Sequence, residues 1–489
     1  MPRMSKRNLP VRCFILLLTL LLLVPPDWAT CGGGGGGGMG GMGGGGSAMP
    51  EQTYPVPWKV LQPADPAPTA GLALYWLPSS QAELERSSLR FSRTLSLYAS
   101  QCVTMGVVDS RTELGQKLLA GGQTPVAVLA QPDGTPISKA LNKDGFLKVE
   151  QVEKMLESEM KSREEKLKQQ MEQAKEKAKS GDNPGAIALY RSVYEQKCMF
   201  PGKAKDAAKQ LKKLGVQDMA EVPDAPIFEA RASARIEQTM RAGLQAENAA
   251  HYQEAERLYS QAHRMDPADP TPLRYLGELY RHEIGDWDKA RTTFDAILAM
   301  PADPLSRAVA LHGLGKMTIH EGEFKKGLAL MEQSVEAFPL ALAYRNLAVY
   351  WNSEGDAAKT DFYVKKALAL EPKDQYNLVF AAVFLAQSGH TQEALRIAER
   401  NRAMLPASYN LAAIYAQAGQ REKALALLQR HFFTYERYQA VRSKEMMEAR
   451  VDAVFASLRD DPKFLALTKD ADGRLPMPMS KPATGGANP

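Results

Sequence analysis

The stretch "LHGLGKMTIHEGEFKKGLALMEQSVEAFP", Leu311–Pro339, decides how the chain is read, because it returns twice more with different residues in the same roles. "YRNLAVYWNSEGDAAKTDFYVKKALALEP" runs from Tyr344 to Pro372, and "LVFAAVFLAQSGHTQEALRIAERNRAMLP" from Leu378 to Pro406. The closing prolines are 33 and 34 residues apart. Each stretch has apolar residues at helical spacing, a central glycine (Gly322, Gly355, Gly389), a second helical pattern and a proline stop. A period of this size predicts stacked helical units, none of which can bury its apolar face alone.

Working outward, small residues recur where paired helices must approach closely: Gly243, Gly277, Gly315, Ala348, Ala382 and Ala412. A second small position recurs in the second helix as Ala255, Ala290, Gly327, Ala394 and Ala424, with Tyr259, Tyr280, Phe294 and Tyr415 filling between. These positions resemble the tetratricopeptide repeat, a 34-residue helix–turn–helix unit, over about six units between Arg235 and Phe432. One extra residue precedes Ala290, and Thr360 stands where alanine is usual. Upstream, Gly181, Ala186 and Tyr190 mark a degenerate unit, and a stripe at Met160, Leu167, Met171, Ala174 and Ala178 predicts a stiff helix leading into it. Downstream, Glu448–Thr468 resembles the closing segment of such arrays, covering the apolar end of an open stack.

Nearer the start the pattern changes. "GLALYW" (Gly71–Trp76), "CVTMGVVDS" (Cys102–Ser110), "TPVAVLA" (Thr124–Ala130) and "TPIS" (Thr135–Ser138) read as strands. A helix is expected over "PSSQAELERSSLRFSRTLSLYAS" after the first, and another over "TELGQKLLAGG", with Thr112 as N-cap, after the second. Pro132-Asp133-Gly134 is a turn, and an amphipathic helix closes the segment. The order β-α-β-α-β-β-α resembles the thioredoxin fold, and Thr124-Pro125 falls where that fold carries its cis-proline, making Pro125 the candidate. The family's Cys-x-x-C is missing; "LPSSQAEL" (Leu77–Leu84) stands at its place, and a serine hydroxyl cannot form a disulfide. Cys102 sits in an apolar strand pattern and is expected to be an inert core thiol. A bond between Cys102 and Cys198 requires the fold to bring them together, which spacing alone does not decide.

The beginning of the chain carries an export pattern. Arg3, Lys6, Arg7 and Arg12 precede "CFILLLTLLLLV" (Cys13–Val24), an apolar run shorter than the roughly 20 residues of a bilayer span. Cys31, after Ala29 and Thr30, resembles the cysteine at which a bacterial lipoprotein receives its lipid, and the polyglycine behind it reads as a flexible tether. The resemblance implies an exported, membrane-anchored lipoprotein of the cell envelope; ordinary cleavage to a soluble periplasmic or secreted protein is the alternative.

The expected fold class is therefore mainly α, a tetratricopeptide solenoid behind a small thioredoxin-like α/β domain. Its expected parts are a signal peptide at 1–30, tether 31–56, α/β domain 57–160, helical connector 161–228, solenoid 229–432, capping helices 433–468 and disordered tail 469–489. With 61 Lys and Arg against 56 Asp and Glu, the net charge of +5 makes no electrostatic case for nucleic acid. The histidines are scattered, and no metal, cofactor or nucleophile motif is present, so no cofactor and no catalysis are expected. Stacked repeats bind through the face lined by each first helix. Counting from the unit ends, that face carries Arg274, Arg281, His312, Lys316, Arg345 and Asn352, expected to stand free, with apolar Val379, Val383 and Ala386 further on. Such a basic set resembles those by which some tetratricopeptide domains hold an acidic or C-terminal carboxylate peptide, guanidinium groups clamping carboxylates at two points. The expected function is a scaffold for other envelope proteins; the alternative is a thiol–disulfide or chaperone-like enzyme acting through Cys102, with the repeats recruiting substrate.

Overall fold

A computed structural model describes residues 53–469, apart from 143–144, 218, 405–406, 436–441, 443–444, 447–448 and 451. The signal peptide, Cys31, almost all of the tether and the tail beyond 469 lie outside the described residues. Two compact units are present: the first within Gly35–Leu279 and Ala290–Ala310, the second within Tyr280–Lys289 and Leu311–Pro489.

In the first unit, β1 (Lys59–Val60), β2 (Leu72–Leu77), β3 (Val103–Val107), β4 (Val126–Ala130) and β5 (Pro136–Leu141) form one sheet in the order β1-β3-β2-β4-β5. β1 and β2 run parallel to β3, whereas β4 is antiparallel to β2 and β5. β2 is apolar throughout because both of its faces are covered. Leu72, Leu74 and Trp76 enter one layer, and Ala73, Tyr75 and Leu77 the other. At the Pro132-Asp133-Gly134 turn, Gln131 N donates to Thr135 O at 2.9 Å, and Gly134 takes the left-handed φ of +78° that a side chain would resist.

The single helix expected after β2 is two: α1 (Gln81–Arg86) and α2 (Arg93–Ala99), with a 3-10 turn at Ser88–Arg90. The serines break it. Ser87 Oγ accepts from Leu89 N, and Ser92 Oγ from Leu95 N, so each starts a helix rather than continuing one. Thr112 caps α3 (Glu113–Leu119) by accepting from Gly115 N. α4 (Val149–Lys179) runs unbroken through the expected domain boundary at 160, burying Val152, Leu156, Met160, Leu167 and Ala174 along one stripe. One apolar cluster continues from the sheet through α4 into α5 (Asn183–Glu195) and α6 (Pro201–Lys213), taking in Tyr190, Val193 and Leu211.

Six helix–turn–helix pairs follow along the chain: α7 (Ala230–Asn248) with α8 (Tyr252–Met265), α9 (Thr271–Leu279) with α10 (Trp287–Ala299), α11 (Pro304–His320) with α12 (Phe324–Ala337), α13 (Ala341–Ser353) with α14 (Ala357–Leu370), α15 (Gln375–Gln387) with α16 (Thr391–Asn401), and α17 (Ser408–Gln417) with α18 (Arg421–Arg430). The small positions are close-approach points. A Cβ on Gly243 would lie 2.5 Å from the Tyr259 ring, and one on Gly277 2.3 Å from the Phe294 ring. The extra residue before Ala290 is absorbed as a π-helical turn at Tyr280–Ile284, which widens the helix locally. Thr360 fits its alanine-sized site because its hydroxyl donates to Asp356 O at 2.8 Å.

In the second unit a continuous core runs from Ile319 to Phe464. Its closing segment is a 3-10 turn (Ala453–Leu458) and a short α19 (Pro462–Leu467), which insert Val454, Phe455, Leu458 and Phe464 into that core. Asp461 caps α19 through Lys463 N and Phe464 N and also pairs with Arg421.

Cys102 is not a strand residue. It precedes β3 in the left-handed conformation (φ +58°) and is disulfide-bonded to Cys198 in the turn between α5 and α6. Strand periodicity places it one residue too far into the sheet, and spacing alone does not bring together two residues 96 apart. The Thr124–Pro125 bond is cis and leads into β4.

Candidate binding face of the repeats

The first helices of the repeats carry the residues singled out by sequence, and the structure packs most of them instead of leaving them free. In the first unit, Arg274 on α9 is fully buried, with its guanidinium carbon 5.6 Å from the Tyr275 ring centroid. All three of its guanidinium nitrogens lack a hydrogen-bond partner. Arginine cannot shed its proton, so burying it without an acceptor is costly.

In the second unit, Arg281, His312, Lys316 and Arg345 are all buried, and only Asn352 is half-buried. His312 and Arg345 are engaged across neighbouring repeats. The Asn346 side-chain amide donates to His312 Nε2 at 2.8 Å, and Arg345 donates to Asn377 Oδ1 while lying 4.9 Å from the Tyr376 ring centroid. The physical reason for the difference lies in helix crowding: at these positions the first helix is packed on more of its circumference than a surface helix, so Val379, Val383 and Ala386 are buried as well.

Sequence reasoning missed the asparagines that tie these helices together. Asn377 Nδ2 donates to Glu371 Oε2 at 2.9 Å, and Asn410 Nδ2 to the Tyr376 hydroxyl at 3.4 Å. Buried amides need such partners, and here each finds one on the preceding repeat or turn. A signal was present: the step Asn-Leu recurs at Asn346-Leu347, Asn377-Leu378 and Asn410-Leu411. Beyond it, Ser408 Oγ lies 3.3 Å from His431 Nδ1, His431 Nε2 lies 2.8 Å from Glu445 Oε2, and Tyr409 donates to Asp452 at 3.2 Å. Ser408, His431 and Glu445 are wholly enclosed, so this relay fastens the closing segment and offers no substrate access. Burial above all raises the Tyr376 hydroxyl pKa well above its usual value, so it is a neutral hydrogen-bonding group.

The first unit holds a second polar centre that sequence reasoning did not anticipate. Arg93 on α2 donates to Asp266 at 2.5 Å, Asp269 at 3.1 Å, Ile227 O at 2.7 Å and Ser233 Oγ at 2.9 Å. Tyr54 adds a 2.9 Å hydrogen bond to Asp269. Burial is the chief influence raising the Asp269 pKa, opposed by Arg93. A cleft of about 40 Å³ beside it is lined by Thr53, Tyr54, Phe91, Ser92, Arg93, Glu237 and Arg241, a volume suited to water and not to a peptide. Among the described residues no cluster of three or more His, Cys, Asp or Glu could hold a metal ion, and no helix is long and apolar enough to cross a membrane.

Residues 249–315 match the family described as tetratricopeptide repeat. Protein CTR9 homolog of Arabidopsis thaliana is 25% identical over 232 residues, covering 37% of this chain and 21% of that protein; the chain therefore spans about a fifth of that relative's length. Among solved structures, "YrrB: a TPR protein with an unusual peptide-binding site" is similar at 21% identity over 36% of this chain and 90% of its own, with a TM-score of 0.26. Residues 249–315 are thus similar to tetratricopeptide repeats, within a mainly helical chain that has a small α/β region ahead of its helix pairs.

Proposed function

We propose that this protein is an exported interaction scaffold, lipid-anchored at Cys31, that holds acidic or carboxylate-ended segments of other envelope proteins on the first-helix faces of its repeats. The observation that favours the ligand class is Arg274, whose enclosed guanidinium lacks an acceptor: a partner carboxylate that displaced the packing over it would satisfy it by two-point hydrogen bonding. In the second unit, Asn352 is the candidate that remains partly accessible, while Arg345 and His312 shape that face through their cross-repeat bonds. The α/β region is read as a thioredoxin-like domain without catalysis. The parallel β1-β3-β2 set continued by antiparallel β4 and β5 supports the fold, and Ser79 and Ser80 at the start of α1 leave no thiol pair there. The Cys102–Cys198 disulfide supports export, since such bonds persist in oxidising compartments.

The test is peptide binding by fluorescence anisotropy, comparing acidic peptides with free and amidated C-termini. Free-acid peptides are expected to bind the wild type and to lose about tenfold or more in affinity with Arg274→Met, the scale of one charged hydrogen-bonded contact. Equal binding of the amides, or of the variant, would refute the carboxylate reading. Anchoring is tested separately by palmitate labelling, where wild type and Cys31→Ser giving the same result would leave simple secretion.

A further inference from the structure

We propose that Cys102–Cys198 is a reversible redox clamp, opened and closed by exchange with a protein dithiol, and that its opening frees the α5–α6 turn from the start of β3 without unfolding either element. This inference is independent of what the repeats bind.

The bond joins two elements that are already folded by their own contacts. On one side, β3 is paired along Val103–Val107 with β2 and through Gly106 and Val107 with β1. On the other, the turn carrying Cys198 is closed by Lys197 N donating to Tyr194 O at 3.1 Å and Phe200 N donating to Gln196 O at 2.8 Å. Val193, Met199 and Phe200 on either side of it are buried in the shared core. Neither element depends on the sulfur bridge for its hydrogen bonds, so cleaving the bridge is a local event.

The bridge is also reachable. Cys102 and Cys198 are both half-buried, in contrast to the enclosed residues around them. Cys102 is held in the left-handed region, which residues with a Cβ seldom occupy and which is retained only where the surroundings impose it. Two constraints impose it here. Leu72 N donates to Cys102 O at 3.1 Å, and Gly71 lies so close that a Cβ there would stand 1.9 Å from the same oxygen. The side chain is then tied to Cys198. Opening the bridge removes the second constraint and leaves the first, so Cys102 stays positioned for the bond to re-form.

The chemistry needs only a dithiol as reductant. One partner thiolate attacks a sulfur of the bridge, forming a mixed disulfide and releasing the other cysteine as a thiolate, which takes a proton from water. The partner's second thiolate then attacks the mixed disulfide and releases the remaining cysteine, which is protonated in turn. The partner leaves oxidised, and two electrons have passed to Cys102 and Cys198. Closure is the reverse, with an oxidised partner accepting the two electrons.

The experiment uses the full chain in its oxidised form, exposed without denaturant to reduced thioredoxin as the probe. Thiol labelling with peptide mapping follows Cys102 and Cys198, and hydrogen exchange follows the backbone. Both cysteines are expected to become labelled only after reduction. Exchange at 196–200 should then rise on the order of tenfold, with β2 to β4 unchanged, and reoxidation should reverse both effects. Cys198→Ser is expected to reproduce the reduced pattern with its near-ultraviolet circular dichroism intact. The proposal is overturned if the cysteines label before reduction, if they resist labelling until denaturant is added, or if reduction or Cys198→Ser exposes the whole sheet to exchange, since the bond would then be absent, sealed, or a staple on which the fold depends.

Discussion

The Arg93 guanidinium donates a 2.5 Å hydrogen bond to Asp266, 173 residues further along the chain, and both side chains are about 1% exposed. The pair unites the α/β region and the early repeats into one unit. Two carboxylates share one guanidinium here, and the Tyr54 hydroxyl and Ser233 complete the set.

Removing one member of a buried pair leaves the other charge stranded, which costs about 3–5 kcal/mol. Arg93→Ala is expected to lower the stability of the first unit by that amount in chemical denaturation. Arg93→Lys should recover only part, because an ammonium group cannot reproduce the fork that reaches Asp266 and Asp269 together. A loss below about 1 kcal/mol would show that the junction is dispensable.

Gly277 lies against the Phe294 ring. Alanine there gains about 1 kcal/mol of helix propensity, but its methyl would stand 2.3 Å from Phe294, and overpacking of that kind costs about 1–3 kcal/mol. The clash should win, so Gly277→Ala lowers the melting temperature. Gly202 in α6 has nothing within 4 Å of an added Cβ, and Gly202→Ala should leave stability unchanged or raise it. Thermal melts of the two variants check the contrast.

Glu237 borders the cleft near Arg93, and desolvation raises its pKa against the opposing pull of Arg241 and Arg93. A raised folded-state pKa means that the unfolded chain ionises first as pH increases. Stability from this group is therefore complete below the ordinary glutamate value and is lost as pH rises through the folded-state value. Glu237→Gln removes that slope. Its melting temperature relative to wild type is expected to improve from pH 4 to pH 7, whereas a constant difference would contradict the assignment.

Phe464 closes the core of the second unit, fully buried 6.0 Å from the Phe455 ring. Phe464→Ala should cost about 3–5 kcal/mol, the range for deleting a buried aromatic side chain. Limited proteolysis should then cleave first near α17 and α18. Cleavage confined to the first unit would mean that the closing segment does not protect the stack.

Much of the repeat architecture was legible because its signals are local or periodic. Gly322, Gly355 and Gly389 all adopt left-handed turns, and Ala255, Ala394 and Ala424 are fully buried at their anticipated close approaches. The helix break at Ser87 to Ser92 is not legible in the sequence because serine on a helical stripe is equally a surface residue and a cap; only the neighbouring geometry chooses between them. The two-residue β1 left no periodicity to read, and it exists because the edge of β3 offers partners.

The sequence by itself determined the repeating helix pairs, their tight turns and their small contact positions, since helix period, glycine conformation and side-chain volume act within one or two neighbouring units. Tertiary structure alone decided that Cys102 meets Cys198, that Arg93 meets Asp266 and Asp269, and that most of the basic first-helix residues are buried rather than free. Those outcomes join residues tens to hundreds of positions apart, and burial depends on everything packed around a side chain, which spacing along the chain does not encode.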